Sequence, residues 1–150
     1  LITLLKDKTM AIVNPYLNFN GNTEEAFDFY RSVFGHDYCN IIRYKDLPDG
    51  MPDPCGDKES IMHISLPVSK ETILMGSDRP SSLGPVQNGN NFFISIQGES
   101  EAETKRIFRA LSEGGTIVTP LERAFWGAIF GMLTDKFGVQ WMINYQQHLF

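Results

Sequence analysis

Residues 13–20 (VNPYLNFN) alternate, with Leu17 and Phe19 on one face and Asn14, Tyr16 and Asn18 on the other. A period of two marks a strand buried on one side. Gly21-Asn22 then turns the chain, and Asn22 or Thr23, with Glu25 following, has the spacing of a helix cap. Ala26, Phe27, Tyr30, Val33 and Phe34 recur at helical spacing, and Gly35 supplies a stop. Strands are predicted at Asp37–Tyr44, Ser60–Leu66 and Glu71–Gly76. The Pro/Gly/Asp-rich run DLPDGMPDPCGDK separates the first two and cannot continue a ladder.

The same order then begins again. Residues 91–96 alternate, with Ile94 and Ile96 opposite Asn91, Phe93 and Ser95. Ser100-Glu101-Ala102-Glu103 is a capping box, expected to be reciprocal between Ser100 and Glu103. Its helix carries Ile107, Phe108, Ala110 and Leu111 and ends before Gly114-Gly115. Strands follow at Thr116–Ala124, Trp126–Leu133 and Val139–Tyr145, with Asp135-Lys136-Phe137-Gly138 as the last hairpin turn. The halves align at an offset of about 77 residues, a similarity of plan more than of sequence. The expected organisation is an N-terminal extension (1–9), a first βαβββ module (10–79), a linker (80–90), a second module (91–145) and a C-terminal tail (146–150).

Composition bounds the chemistry. The 150 residues carry 18 acidic and 13 basic side chains, a formal charge of −5, with no cationic run of the kind that binds nucleic acid. Apolar residues make up 42% and Phe numbers 11, which suits a folded globular chain. No apolar run approaches the ~20 residues of a membrane span. Cys39 and Cys55 have neither zinc-ligand nor disulfide-scaffold spacing. The expectation is a cytoplasmic protein with no nucleic-acid or membrane partner.

Three segments carry a resemblance to a known family: PYLNFNGNTEEAFDFYRSVFG (Pro15–Gly35), IMHISL with ILMGSD (Ile61–Asp78), and AFWGAIFGMLTDKFGVQWMIN (Ala124–Asn144). Together they resemble the PhnB-like branch of the vicinal oxygen chelate superfamily, which includes glyoxalase I, bleomycin-resistance proteins and extradiol dioxygenases. The resemblance implies an α+β fold, tandem βαβββ modules forming a curved mixed sheet around a concave pocket, and a homodimer. In metal-using members each half supplies a His or Gln from its first strand and a Glu from its last. Carried over, those positions fall at about Asn14–Tyr16, at Asn91, at Met75/Gly76 and at Met142. Thioethers and neutral amides do not replace carboxylates around a hard or borderline dication, so no metal and no cofactor are expected.

The inward faces predict a ligand pocket of Asn14, Tyr16, Asn18, Phe93, Ser95, Trp126, Gln140, Met142 and Asn144, suited to a small, neutral organic molecule. His63 is the one imidazole on a predicted strand, sharing a face with Ile61 and Ser65. It is read either as a strand histidine holding a hydrogen bond or as a catalytic acid/base, with Asp78 as its orienting partner. The branch is often labelled methyltransferase-like, but no Gly-x-Gly lies at a strand-to-helix junction, which disfavours methyl transfer. The expected function is binding of a small molecule in a pocket without the usual metal ligands. The alternative is a lyase-, isomerase- or oxygenase-like enzyme using His63 or a relocated metal.

Overall fold

The computed structural model describes residues 11–146. The expected extension at 1–9 and all but the first residue of the tail lie outside the described residues. Chain order is β1 (Tyr16–Phe19), α1 (Thr23–Phe34), β2 (Asn40–Arg43), β3 (Ile61–Pro67), β4 (Ile73–Asp78), β5 (Ile94–Gln97), α2 (Glu101–Ser112), β6 (Thr116–Arg123), β7 (Ile129–Thr134) and β8 (Gln140–Tyr145). Two four-stranded mixed sheets result, ordered β1-β4-β3-β2 and β5-β8-β7-β6. In each, the first and last strands of the half pair in parallel and the others antiparallel. This is the expected α+β class, with the βαβββ plan written twice.

Every predicted element is present, though most strands begin later than expected, and β3, β4, β5 and β7 run one or two residues further. The first strand begins at Tyr16 instead of Val13, and the second at Asn40 instead of Asp37. Pro15 cannot donate to a ladder, and Asp37 is drawn instead to Arg31 at 2.5 Å.

Each helix covers one face of its sheet. Ala26, Phe27, Tyr30 and Val33 of α1 meet Leu17, Phe19, Ile64, Leu66 and Leu74 in one core with Ile107, Phe108, Leu111, Leu133, Trp141 and Ile143. Both helices approach their sheets at a glycine. A Cβ on Gly76 would stand 2.7 Å from the Phe27 ring and 2.8 Å from the Leu17 carbonyl. One on Gly131 would stand 2.7 Å from the Phe108 ring and 2.9 Å from the Leu121 Cα. The repeat therefore extends to a phenylalanine seated over a strand glycine in both halves.

The caps differ from expectation. Asn22 makes no side-chain cap, and α1 is capped from across the sheet: Asp78 accepts from the Thr23 N–H at 3.1 Å and its hydroxyl at 2.7 Å. The other Asp78 oxygen accepts from the Ile61 N–H at 2.8 Å. Asp78 is thus buried and fully engaged, which corrects its assignment as the partner of His63. In α2, Ser100 does accept from the Glu103 N–H at 3.1 Å. The Glu103 carboxylate, however, accepts from the Glu99 N–H at 3.2 Å, so the box is displaced by one residue.

The halves are joined by Asp135, in the β7–β8 turn. One carboxylate oxygen accepts from the Tyr30 hydroxyl of α1 at 2.6 Å and from the Trp141 indole at 2.8 Å. The other accepts from the N–H groups of Phe137 and Val139 at 2.8 and 3.0 Å. Burial, and then the Asp135 charge, hold the Tyr30 hydroxyl pKa far above its ordinary value, so it remains a donor. Aromatic rings of Phe19, Phe29 and Tyr30 close around Phe137 at 5.8–6.3 Å.

Two predictions follow from this packing. Asp135→Asn turns an NH2 group toward buried donors and should cost about 3 kcal/mol in urea unfolding, against about 1 kcal/mol for Tyr30→Phe. Equal losses would contradict Asp135 as the shared acceptor. Gly76→Ala and Gly131→Ala should each cost about 2 kcal/mol through overpacking, and unchanged midpoints would remove the tight helix–sheet approach.

Candidate functional site

The face of the first sheet away from α1 carries a row of polar side chains interrupted by Met75. Alternation along β1 puts Tyr16 and Asn18 there, while Leu17 and Phe19 go to the core. Across the strands, Tyr16 registers with Met75, and Met75 with Ser65. The Tyr16 hydroxyl stands 3.3 Å from His63 Nδ1, and His63 Nε2 stands 2.7 Å from Ser65 Oγ. The Tyr16 ring tilts over the imidazole with centroids 5.7 Å apart and is still 48% exposed. Beside this triad, Asn18 donates to Ser77 Oγ at 3.1 Å. His63 therefore has partners at both nitrogens, and neither is Asp78.

A register shift in the β2–β3 pairing explains one difference on this face. Ile42 pairs with His63 but Arg43 with Ile61, so Met62 is the extra residue. The bulge sends Ile61 into the core with Ile64, and Ile61 does not share the face of His63 as simple alternation predicted. Ser65, three residues beyond the bulged Met62, keeps the predicted face. Asn14 sits just outside β1, and its Oδ1 accepts from the Ile73 N–H at 3.0 Å, fastening the end of β4.

In the second sheet, Ser95, Met142 and Asn144 also lie opposite the helix, with Ser95 in register with Met142 and Phe130 with Asn144. Asn144 donates to Gln97 Oε1 at 2.6 Å, and Gln140 donates to the Phe92 carbonyl at 2.6 Å. Trp126 stands over the far end of this sheet, 6.2 Å from Phe130 and 5.0 Å from Phe125 between ring centroids. Phe93 precedes β5 and is half-buried.

The expected pocket residues thus fall into separate groups. Tyr16, Asn18 and Gln140 line a cleft of about 870 Å³ that runs past β1, the linker and the opening of β8. Ser95 lines a second cleft of about 830 Å³ beside the Val68–Leu74 turn and α2. Asn14, His63, Phe93, Trp126, Met142 and Asn144 line neither. Ser77 and Gln97 are not among the residues expected from the sequence. Strand alternation along β4 and β5 is the signal that places them on this side.

Donor chemistry at the positions where the resemblance implies metal ligands does not fit a divalent ion. Asn14 is committed to the backbone of β4, Tyr16 to His63, Met75 and Met142 offer thioethers, and Gly76 faces Phe27. Among the described residues no three His, Cys, Asp or Glu side chains gather to hold a metal. The thiols are no better placed for covalent chemistry. Cys55 lies 3.8 and 3.9 Å from the carbonyls of Asp78 and Arg79, and burial pushes its pKa up, toward the unreactive thiol.

With this geometry in view, comparisons with known proteins agree across the chain. Residues 11–144 match the family described as 3-demethylubiquinone-9 3-methyltransferase. Protein YjdN of Escherichia coli is 30% identical over 140 residues, covering 88% of this chain and 93% of YjdN. The crystal structure of PA1353 from Pseudomonas aeruginosa superposes with a TM-score of 0.80 at 40% identity, covering 93% of this chain and 100% of that one. The PhnB protein from Bacillus cereus superposes with a TM-score of 0.70 at 26% identity, covering 89% and 98%. Repeat, sheet order and relatives converge: the chain belongs to this PhnB-like family, and a glyoxalase/bleomycin resistance protein/dioxygenase family enzyme shares its fold.

Proposed function

We propose that the protein binds a small, uncharged organic molecule against the open face of its first sheet, at Tyr16, Asn18, His63, Ser65 and Ser77, without a metal. The observation that supports this reading is the Tyr16–His63–Ser65 chain. A half-exposed aromatic ring offers stacking area beside ordered donors and acceptors, the usual composition of a binding surface. The name of the family does not bring methyl transfer with it: the β1–α1 turn is Asn20-Gly21-Asn22, with no Gly-x-Gly to cradle a cofactor.

A second reading rests on the same contacts. Nδ1 of His63 lies within reach of a phenol hydroxyl, so the ring has a route for passing a proton and could act as an acid/base on a bound substrate. The two readings separate at His63.

The second sheet supports a homodimer. Ile117 and Val118 on the outer strand β6 and Phe125 in the hairpin beyond it are more than half exposed, and a second copy of the chain would cover them. No helix among the described residues is long and apolar enough to cross a membrane. The free thiols Cys39 and Cys55 agree with the reducing cytoplasm.

Titrating isotope-labelled protein with phenol and indole, followed by NMR, should shift the amides of His63, Ser65 and Met75. Tyr16→Ala should weaken that binding about tenfold. His63→Gln should leave affinity within about threefold under the binding reading, whereas loss of a measured turnover in that variant would establish the catalytic one. Shifts confined to other surfaces would overturn the site. Sizing at high micromolar concentration should give a dimer, and a monomer there would contradict the covered second sheet.

A further inference from the structure

The free edge of β1 borders the cleft of about 870 Å³. β1 is the outer strand of its sheet, and its register with β4 leaves the backbone N–H and C=O of Tyr16 and Asn18 pointing away from β4. The linker at 83–89 and the β7–β8 turn form the opposite wall. That wall is pinned in place, because Asn20 Oδ1 accepts from the Val86 N–H at 2.8 Å. Asn88 also packs so closely on Gly138 that a Cβ there would stand 2.3 Å from its amide nitrogen.

The charge of this cleft is opposite to that of the chain. The protein carries −5, yet no Asp, Glu or Lys lines the cleft, and its one charged group is the Arg79 guanidinium. Arg79 Nε donates to the Gly84 carbonyl at 2.9 Å and Nη2 to the Leu83 carbonyl at 2.8 Å. Both partners are neutral, and among the described residues no carboxylate pairs with it. Those two bonds use the side edge of the guanidinium and fix its plane. The end-on edge, formed by the two terminal nitrogens, stays open in the fork geometry that suits a carboxylate. The same cleft is lined by neutral amides, among them Asn22 and Asn88, and by Phe92, 61% exposed, and Phe137.

We infer that this cleft binds a small organic monoanion, a carboxylate on a flat apolar body, with the carboxylate on the end-on edge of Arg79 and the body against Phe92 and Phe137. A single cation among amides matches one negative charge. A phosphate dianion would be left undercompensated, and a cation would meet the guanidinium with no acid beside it. A volume of about 870 Å³ accommodates a molecule of this size.

NMR titration of the labelled full chain with sodium benzoate and with benzamide, at constant ionic strength, tests the site. Benzoate should give saturable shifts at Arg79 Nε and at the amides of Gly84, Val86, Asn88 and Gly138. Benzamide, of the same shape without the charge, should bind about tenfold more weakly. Arg79→Gln should reduce benzoate to the level of benzamide. Because Arg79 also tethers the linker, Asn88→Asp is the second variant: it leaves the Arg79 bonds in place and should weaken benzoate about fivefold without altering benzamide. Equal binding of the two probes, absence of saturable shifts, or benzoate shifts at His63, Ser65 and Met75 would each overturn the inference. The two sites report through different amides and different probes, so failure at the open face would leave this cleft standing, and the converse.

Discussion

The fold turns on a buried carboxylate at the seam between its two halves. A four-stranded sheet with one helix leaves much of the far side of that helix uncovered, and each half of this chain faces the same shortage. The remedy is to pack α1 and α2 against each other and to seat the β7–β8 turn under α1. Asp135 makes that seat specific. Its two oxygens collect a phenol and an indole from opposite halves and two backbone N–H groups from its own turn. A buried charge with four donors has its desolvation offset by hydrogen bonds that an apolar residue could not direct. Removing one donor is tolerable, whereas removing the acceptor strands several.

This arrangement decides where ligands can go. Helices occupy one side of both sheets, so the other sides stay open and collect the polar members of each alternating strand. The edges β1 and β5 are left unpaired within the chain and border the two clefts between the halves. Open face and edge cleft then have different chemistry for a simple reason. Side chains alternate between faces, but an edge also presents backbone groups and whatever the linker brings, here Arg79 among neutral amides. The positions where the superfamily resemblance implies metal ligands here carry tyrosine, methionine and amide, and the proposed recognition rests on hydrogen bonding and stacking instead.

Much of this was legible in the order of residues, and the exceptions share a cause. Alternation sorted Tyr16 from Leu17 and Met142 from Trp141 correctly, because a strand's period is fixed by its backbone. It failed at Ile61, because a bulge at Met62 resets the phase and nothing local announces it. The Ser100 cap was readable because donor and acceptor are three residues apart. The cap on α1 was not, because Asp78 comes from 55 residues away and takes the place of Asn22. Asp135 looked like an ordinary turn residue, which it is, and its second role needs Tyr30, 105 residues distant. Residues assigned to one pocket separated into groups for the same reason: a face can be read from sequence, but not which faces and edges meet.

The central claim, that a buried carboxylate makes one cooperative unit of two repeats, is tested most directly by native-state hydrogen exchange. Amides of β3 and of β8 lie in different sheets and different halves. If Asp135 couples the halves as described, the slowest amides of both strands should exchange through the same global opening, with matching free energies and matching urea dependence. Two separate openings, with one sheet exchanging while the other stays protected, would contradict it.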